Sequence, residues 1–204
     1  MCGRYYFDID DKELREITDA AQKNLSDEFK TGEIFPSDKA LVITMQENKV
    51  IPIIAKWGFP KWNDKDIIIN ARAETLSEKI LFKNLVKYNR CIVPASGFYE
   101  WNKSSSREKK KNKYYFTNPG SVMYMAGLYN TYQTKSEQIS LFDTNKEQLS
   151  YVIITKNANE YMAGIHERMP LIFTKSEMER WLQGENVNTL LSGNQAKLAH
   201  TIIS

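Results

Sequence analysis

The sequence predicts an α+β fold, a largely antiparallel, barrel-like β-sheet core flanked by helices. Three observations carry the prediction. Short runs of β-branched and aromatic residues outnumber the helical segments, the two kinds do not alternate as a doubly wound parallel sheet requires, and turn residues separate the runs. The 204 residues are long enough to bury a sizeable core and are treated as one domain, 1–204.

Taken in order, residues 10–25 (DDKELREITDAAQKNL) place Leu14, Ile17, Ala21 and Leu25 on one side at helical spacing. Asp10, Asp11 and Glu13 fall in the first turn, so an amphipathic helix is expected. About eight strands follow: ALVITM, KVIPIIAKWGF, DIIINARAE, RCIVPASGFYEW, KYYFTN, SVMYMAGLY, LSYVIITK and MPLIFT. Glu47, Asn48 and Lys49 read as a turn. TNPGS at 117–121 reads as a hairpin connection, since Pro119 fixes φ and Gly120 allows positive φ. Helical pattern returns at 77–87, at 157–165 and at 176–183, where Ser176 and Glu179 have capping-box spacing; a final helix is expected over 187–199. The polar stretch 131–150 reads as a surface insertion between two strands.

Apolar residues at 42% and charged residues at 26% describe a globular chain and exclude a disordered one. No run approaches the roughly 20 apolar residues of a membrane span, and no basic-then-apolar leader precedes Asp8, so a cytoplasmic protein is expected. Two cysteines, Cys2 and Cys91, are too few for a disulfide framework or a metal cluster. HExxH, CxxC, Walker and GxGxxG patterns are absent, so neither a metal nor a nucleotide cofactor is expected. A net charge of +3 permits a polyanionic partner without demanding one. The basic run REKKKNK at 107–113 reads as a solvated loop tip or a phosphate contact.

Four places could carry chemistry. Removal of Met1 would leave Cys2 with a free α-amine beside its thiol. With a reference pKa of about 7.7–8.0, against about 10.4 for lysine, part of that amine is neutral and nucleophilic near pH 7. Against an aldehyde the amine forms a Schiff base, and the thiol then closes a thiazolidine ring on the same carbon. Against an amide or ester the residue acts as an N-terminal nucleophile with its own amine as base. INARAET at 69–75 puts Asn70, Arg72 and Glu74 on one face of a strand, either a site face or the solvent side of an antiparallel strand. In GFYEW at 97–101, Glu100 lies among aromatics, where desolvation raises a carboxyl pKa toward neutrality, unless it faces water at a strand end. His166, in GIHERMP, stands at an expected helix-to-strand junction suited to acid-base work, whereas His200 falls in the expected terminal helix. Cys91 opens an apolar strand and reads as a core thiol.

MCGR at the N-terminus, WGF at 57–59, INARAET, CIVPASGFYEW and HERMP, in that order, resemble the SRAP family, named for SOS-response-associated peptidase, over residues 1 to about 182. The resemblance implies an SRAP-like fold and a DNA-damage response protein that senses abasic sites in single-stranded DNA, including those at damaged replication forks; a monomer is expected, though nothing in the sequence fixes the oligomeric state. It implies that Cys2 forms a thiazolidine DNA-protein crosslink, with an associated lyase activity and no cofactor. By motif match, Asn70 hydrogen-bonds near the ring, Glu100 transfers protons in ring opening and crosslink reversal, and His166 assists Schiff-base formation. Arg4 and Arg72 hold flanking phosphates, and Arg168 is a further candidate. Trp62 and Pro36 match the side chains that stack on or block DNA beside the lesion. Two departures matter. IFPS lacks the asparagine many members carry there, and the chain stops at LAHTIIS where longer members continue, which suggests a shorter variant. Two other functions stay open: a thiol peptidase using Cys2, and a noncovalent single-strand-binding module.

Overall fold

A computed structural model gives the fold and describes residues 2–23, 25, 27–61, 66–102, 111–134, 146–193 and 196–203. In chain order the elements are β1 (Tyr5–Phe7), α1 (Lys12–Gln22), β2 (Gly32–Ile34), β3 (Lys39–Gln46), β4 (Lys49–Trp57), β5 (Phe59–Pro60), β6 (Ile67–Ile68) and β7 (Asn70–Arg72). A single 3-10 turn (Ala73–Thr75) leads into α2 (Ile80–Lys83), α3 (Leu85–Tyr88), β8 (Arg90–Ala95), β9 (Gly97–Trp101), β10 (Lys113–Thr117), β11 (Met123–Thr134) and β12 (Lys146–Asn157). Last come β13 (Arg168–Pro170), β14 (Ile172–Phe173), α4 (Lys175–Leu182), α5 (Val187–Gly193) and β15 (Ala199–Ile203).

The predicted barrel is present and closed. Around it run β12, β4, β3, β8 and β11, and β11 pairs back onto β12. Every joint of this ring is antiparallel except the parallel step from β12 to β4. Closure leaves the ring no free edge to protect. β12 is long enough to serve several partners. Beyond the ring it pairs in parallel with β7, Ile153 opposite Asn70, and antiparallel with β13, Thr155 opposite Pro170. Cys91 to Ala95 of β8 are buried without alternation, as expected of a strand covered on both faces.

A second, antiparallel sheet runs β15-β10-β9-β1-β2. Period-two alternation gives its faces different characters. Tyr5, Phe98 and Phe116 are buried on one face. This face meets the barrel through Tyr5, whose hydroxyl lies 2.7 Å from that of Tyr151 and whose ring packs 5.2 Å from Trp57. Glu100 shares that face by register, while Arg4, Glu33, Tyr99, Trp101 and Lys113 belong to the other. Gly97 starts β9 because a Cβ there would lie 2.4 Å from the Phe116 carbonyl oxygen.

Local signals were followed where they were strong. Asp11 caps α1 by accepting from the N–H groups of Glu13 and Leu14, and Leu14 and Ala21 are buried. Glu47 and Asn48 have φ of 49° and 60°, the consecutive positive values of a two-residue type I′ hairpin between β3 and β4. Pro119 and Gly120, with φ 77° at Gly120, also turn the chain. Here the hairpin expectation is corrected, because β10 and β11 belong to different sheets and the turn hands the chain from one to the other.

Other expectations change. Residues 158–165 form successive turns and no helix: Ala158 N–H donates to Glu167 O, and Asn159 Nδ2 ties the segment to Ala196 O at 2.8 Å. The capping box is Thr174 with Glu177, two residues earlier than expected. The last helix is α5 alone, and His200 lies in β15, its ring against Tyr114 and Phe116. The stretch 131–150 is no simple insertion, since Thr131 to Thr134 pair with Lys146 to Leu149 and extend the ladder of β11 and β12. Its centre, 135–145, lies outside the described residues, as do residues 107–110 of the basic run, whereas Lys113 is in β10. Among the described residues no helix is long and apolar enough to cross a membrane.

Candidate active site

The residue before the first strand sets the site. Cys2 is fully buried, and its carbonyl accepts a hydrogen bond from Asn70 Nδ2 at 2.9 Å. Its thiol points to Arg4 O at 3.7 Å, and the same carbonyl accepts from Tyr99 N–H at 2.9 Å. The chain start is thereby tied to β7 on one side and β9 on the other. Burial pushes the Cys2 thiol well above its ordinary range, and the Glu100 charge pushes it further. A thiol so placed is a protonated group that must lose its proton as it reacts.

Asn70 reaches Cys2 because β7 lies parallel on β12, and the buried Ala71 and Ala73 turn the strand's small side inward. The strand ends at Arg72, so the shared face expected for Asn70, Arg72 and Glu74 does not extend to Glu74, which lies in the 3-10 turn. Asn70 Oδ1 is buried and has no hydrogen-bond partner among the described residues. An acceptor left unmade beside the cysteine costs free energy in the resting protein, which a donor arriving there would recover. Arg72 is exposed.

Glu100 is buried on the inner face of β9, and His166 Nε2 lies 3.4 Å from its Oε1. On the far side of the ring, Arg168 N–H meets His166 Nδ1 at 3.0 Å. Arg168 O lies 3.1 Å from the same nitrogen, so Nδ1 meets both a donor and an acceptor of one residue and either neutral tautomer finds a partner there. The pair can then pass a proton either way.

Arg168 is the anchor of that arrangement. Its guanidinium grips Glu74 with both arms, at 2.7 and 2.9 Å, and also donates to Asn157 Oδ1 at 2.6 Å and Thr155 O at 2.7 Å. The Arg168 guanidinium beside Glu74 holds that carboxyl below its ordinary range. Arg168, considered above as a phosphate ligand, thus has its fork filled by the protein. Arg4 is held more loosely. One arm donates to Glu33 Oε1 at 3.1 Å, and the plane stacks over Phe35 at 4.3 Å and Trp101 at 5.0 Å. Pro36 lies in a tight turn in which Asp38 N–H donates to Phe35 O at 3.0 Å and Ser37 takes φ 76°. Trp62 lies outside the described residues.

The structure therefore links Cys2, Asn70, Glu100 and His166 and sets Arg4 two residues away. Sequence reasoning missed Glu33, its pairing with Lys113 at the end of the basic run, and the grip of Glu74 on Arg168. The partners stand 80 and 94 residues apart, and neither pair has a local spacing that would betray it.

A closed five-strand barrel with a second sheet packed on it, and a buried cysteine at the chain start beside a Glu–His pair, define one class of protein. The chain belongs to the SOS response associated peptidase (SRAP) family, whose sequence model matches residues 1–201. It is 32% identical over 200 residues to Abasic site processing protein YoqW of Bacillus subtilis, covering 92% of this chain and 83% of that protein. It is 28% identical over 164 residues to Abasic site processing protein YedK of Escherichia coli, covering 80% of this chain and 67% of that one. Among solved structures, a protein from Bacteroides thetaiotaomicron superposes with a TM-score of 0.78 at 24% identity, covering 100% of this chain and 92% of the other. That likeness concerns the fold.

Proposed function

We propose that this chain, acting as one domain, processes abasic sites in single-stranded DNA by capturing them covalently on Cys2 once Met1 has been removed. The observation that carries this is the junction at Cys2: its carbonyl held by Asn70 at 2.9 Å, and its thiol buried within the field of Glu100. The family and the names of the relatives point to the same lesion.

The chemistry balances without a cofactor. The freed amine of Cys2 attacks the aldehyde carbon of the open-chain deoxyribose, and the carbinolamine loses its hydroxyl as water to leave a Schiff base. Protonation of that leaving hydroxyl falls to His166 or Glu100, which face each other at 3.4 Å. The thiol then adds to the same carbon, its proton passing by way of the pair to the imine nitrogen, and the thiazolidine closes. Since burial keeps the thiol protonated, a base within reach matters more than a low thiol pKa. Asn70 Oδ1, without a partner among the described residues, is the acceptor for the ring N–H. Elimination from the Schiff base before ring closure would cut the strand, which is the lyase side reaction.

The test is a denaturing gel of purified protein incubated with single-stranded DNA carrying one abasic site. A retarded band that survives denaturation, requires the lesion and disappears in Cys2→Ala is expected. A salt-sensitive complex without any covalent band would sink the proposal in favour of simple binding. Peptide cleavage lost in Cys2→Ala, without a DNA band, would favour a peptidase.

A further inference from the structure

Arg4 and Lys113 converge on one atom. Lys113 Nζ donates to Glu33 Oε1 at 2.8 Å and Arg4 to the same oxygen at 3.1 Å. Aromatic rings support both cations: Lys113 sits 3.9 Å over Tyr99, and Arg4 lies over Phe35 and Trp101. Two positive charges and one negative leave the cluster one charge short of neutral. The side chains of Arg4, Glu33 and Lys113 keep 29%, 31% and 24% of their exposure, so water and ions reach all three. Arg4 uses a single arm, and its buried Nε has no partner among the described residues. A guanidinium fork suits two oxygens of a phosphate and here holds one carboxylate oxygen.

We infer that Glu33 is a resident anion that a DNA phosphodiester must displace from Arg4 and Lys113, so that it lowers the affinity of the chain for undamaged single strands. This rests on the function proposed above and concerns how the same site chooses its partner. The geometry favours exchange over a fixed bridge. When Glu33 leaves, the rings still hold the two cations in place, because cation–π contact does not need the carboxylate. The incoming phosphodiester brings the charge that departs, and it offers Arg4 a second oxygen. Two residues of extended chain span at most about 7 Å, so the backbone that carries Arg4 starts close to Cys2, and Arg4 O is the atom the Cys2 thiol points to. Weak reversible binding combined with covalent capture confines long residence to strands that carry the aldehyde. A competing internal charge is a direct way to weaken the reversible part.

The experiment measures fluorescence anisotropy of a labelled oligothymidylate with the wild type and with Glu33→Gln across a salt series. Glu33→Gln is expected to bind about three- to tenfold tighter and to steepen the salt dependence by up to about 0.7 in log–log slope. Glu33→Asp, which keeps the charge on a shorter arm, should recover most of the wild-type weakness. In a chain lacking both cations (Arg4→Gln with Lys113→Gln), adding Glu33→Gln should change nothing; a gain of equal size there would overturn the inference, as would unchanged or weaker binding of Glu33→Gln itself. Should the variant not fold, the side-chain carboxyl carbon resonance of Glu33 in the wild type must shift as oligothymidylate is added, and a static resonance would also overturn it. The same preparations, given abasic DNA, separate the two claims. Crosslinking with no affinity gain sinks this inference alone, and affinity gain with no crosslink sinks the proposed chemistry alone.

Discussion

Arg168 with Glu74 and Arg4 with Glu33 are the same chemical pair set in two places. Behind His166, the Arg168 side chain is only 10% exposed, spends both arms on Glu74 and adds bonds from the same two nitrogens to Asn157 and Thr155, while its Nε, like that of Arg4, has no partner among the described residues. On the outer face of the second sheet, Arg4 keeps one side-chain hydrogen bond among the described residues, and Glu33 divides its oxygen with Lys113. Burial alone would raise the Glu33 carboxyl, but Lys113 and Arg4 outweigh it and hold it below its ordinary range. The two pairs therefore share a sign and differ in how easily they part. A bidentate pair whose guanidinium is buried is costly to break because it strands that desolvated charge, whereas a single bond between two partly exposed groups exchanges with solvent or ligand at little cost. The first is built to hold the backbone N–H that faces His166, and the second to be replaced.

The largest expected effect is on the first pair. Arg168→Ala removes the grip on Glu74 and leaves Thr155 O and Asn157 Oδ1 without their donor, at a cost of roughly 2–4 kcal/mol. For a chain of this length that lowers Tm by about 5–15 °C, read by thermal circular dichroism. A loss of only a degree or two would erase the distinction between the two pairs. Glu74→Gln should follow with a smaller loss, roughly 1–2 kcal/mol, because the Glu74 side chain is 43% exposed and water screens the charge it gives up. This loss depends on pH. Glu74 is depressed in the folded chain, chiefly by its hydrogen bond to Arg168, so its stabilisation is complete above the unfolded carboxyl pKa of about 4.3. As pH falls below the unfolded value the stabilisation starts to be lost, and the wild type and Glu74→Gln should draw together in Tm until they meet below the depressed folded value. A gap that widens with acid would contradict the assignment.

How much of this was legible in advance follows from how local each signal is. The helix at α1 could be read because its cap at Asp11 and the buried Leu14 and Ala21 lie within three turns. The type I′ turn at Glu47 and Asn48 could be read for the same reason. Strands β1, β2 and β15 went unread: GEI is too short for a pattern, and AHTII owes its state to pairing with β10. The capping box was misplaced because TKSE and SEME both satisfy the spacing, and only the burial of Met178 and Trp181 decides between them. At the site, Cys2, Asn70, Glu100 and His166 stood out by residue type and motif. Their meeting depends on β7 lying parallel beside β12 and on the second sheet closing over the barrel, which no window of sequence contains. Glu33 drew no notice, since a glutamate on a short strand looks like any solvated charge until two cations arrive from 29 and 80 residues away.

The smallest expected effect is the sharpest test of the contrast. If the Arg4–Glu33 contact is made to be exchanged, Glu33→Gln should alter stability by no more than about 0.5–1 kcal/mol, because the pair is partly exposed and its cations keep their ring contacts. Added salt should shrink even that difference, since screening acts on exposed charges first. The Tm cost of Glu74→Gln should survive the same salt better, because Arg168 is shielded from it. Paired melts of Glu33→Gln and Glu74→Gln at low and high ionic strength therefore give four numbers with a required order. A Glu33→Gln loss that equals the Glu74→Gln loss and resists salt would make the outer contact a second structural pin, and a phosphodiester could not then displace it at little cost.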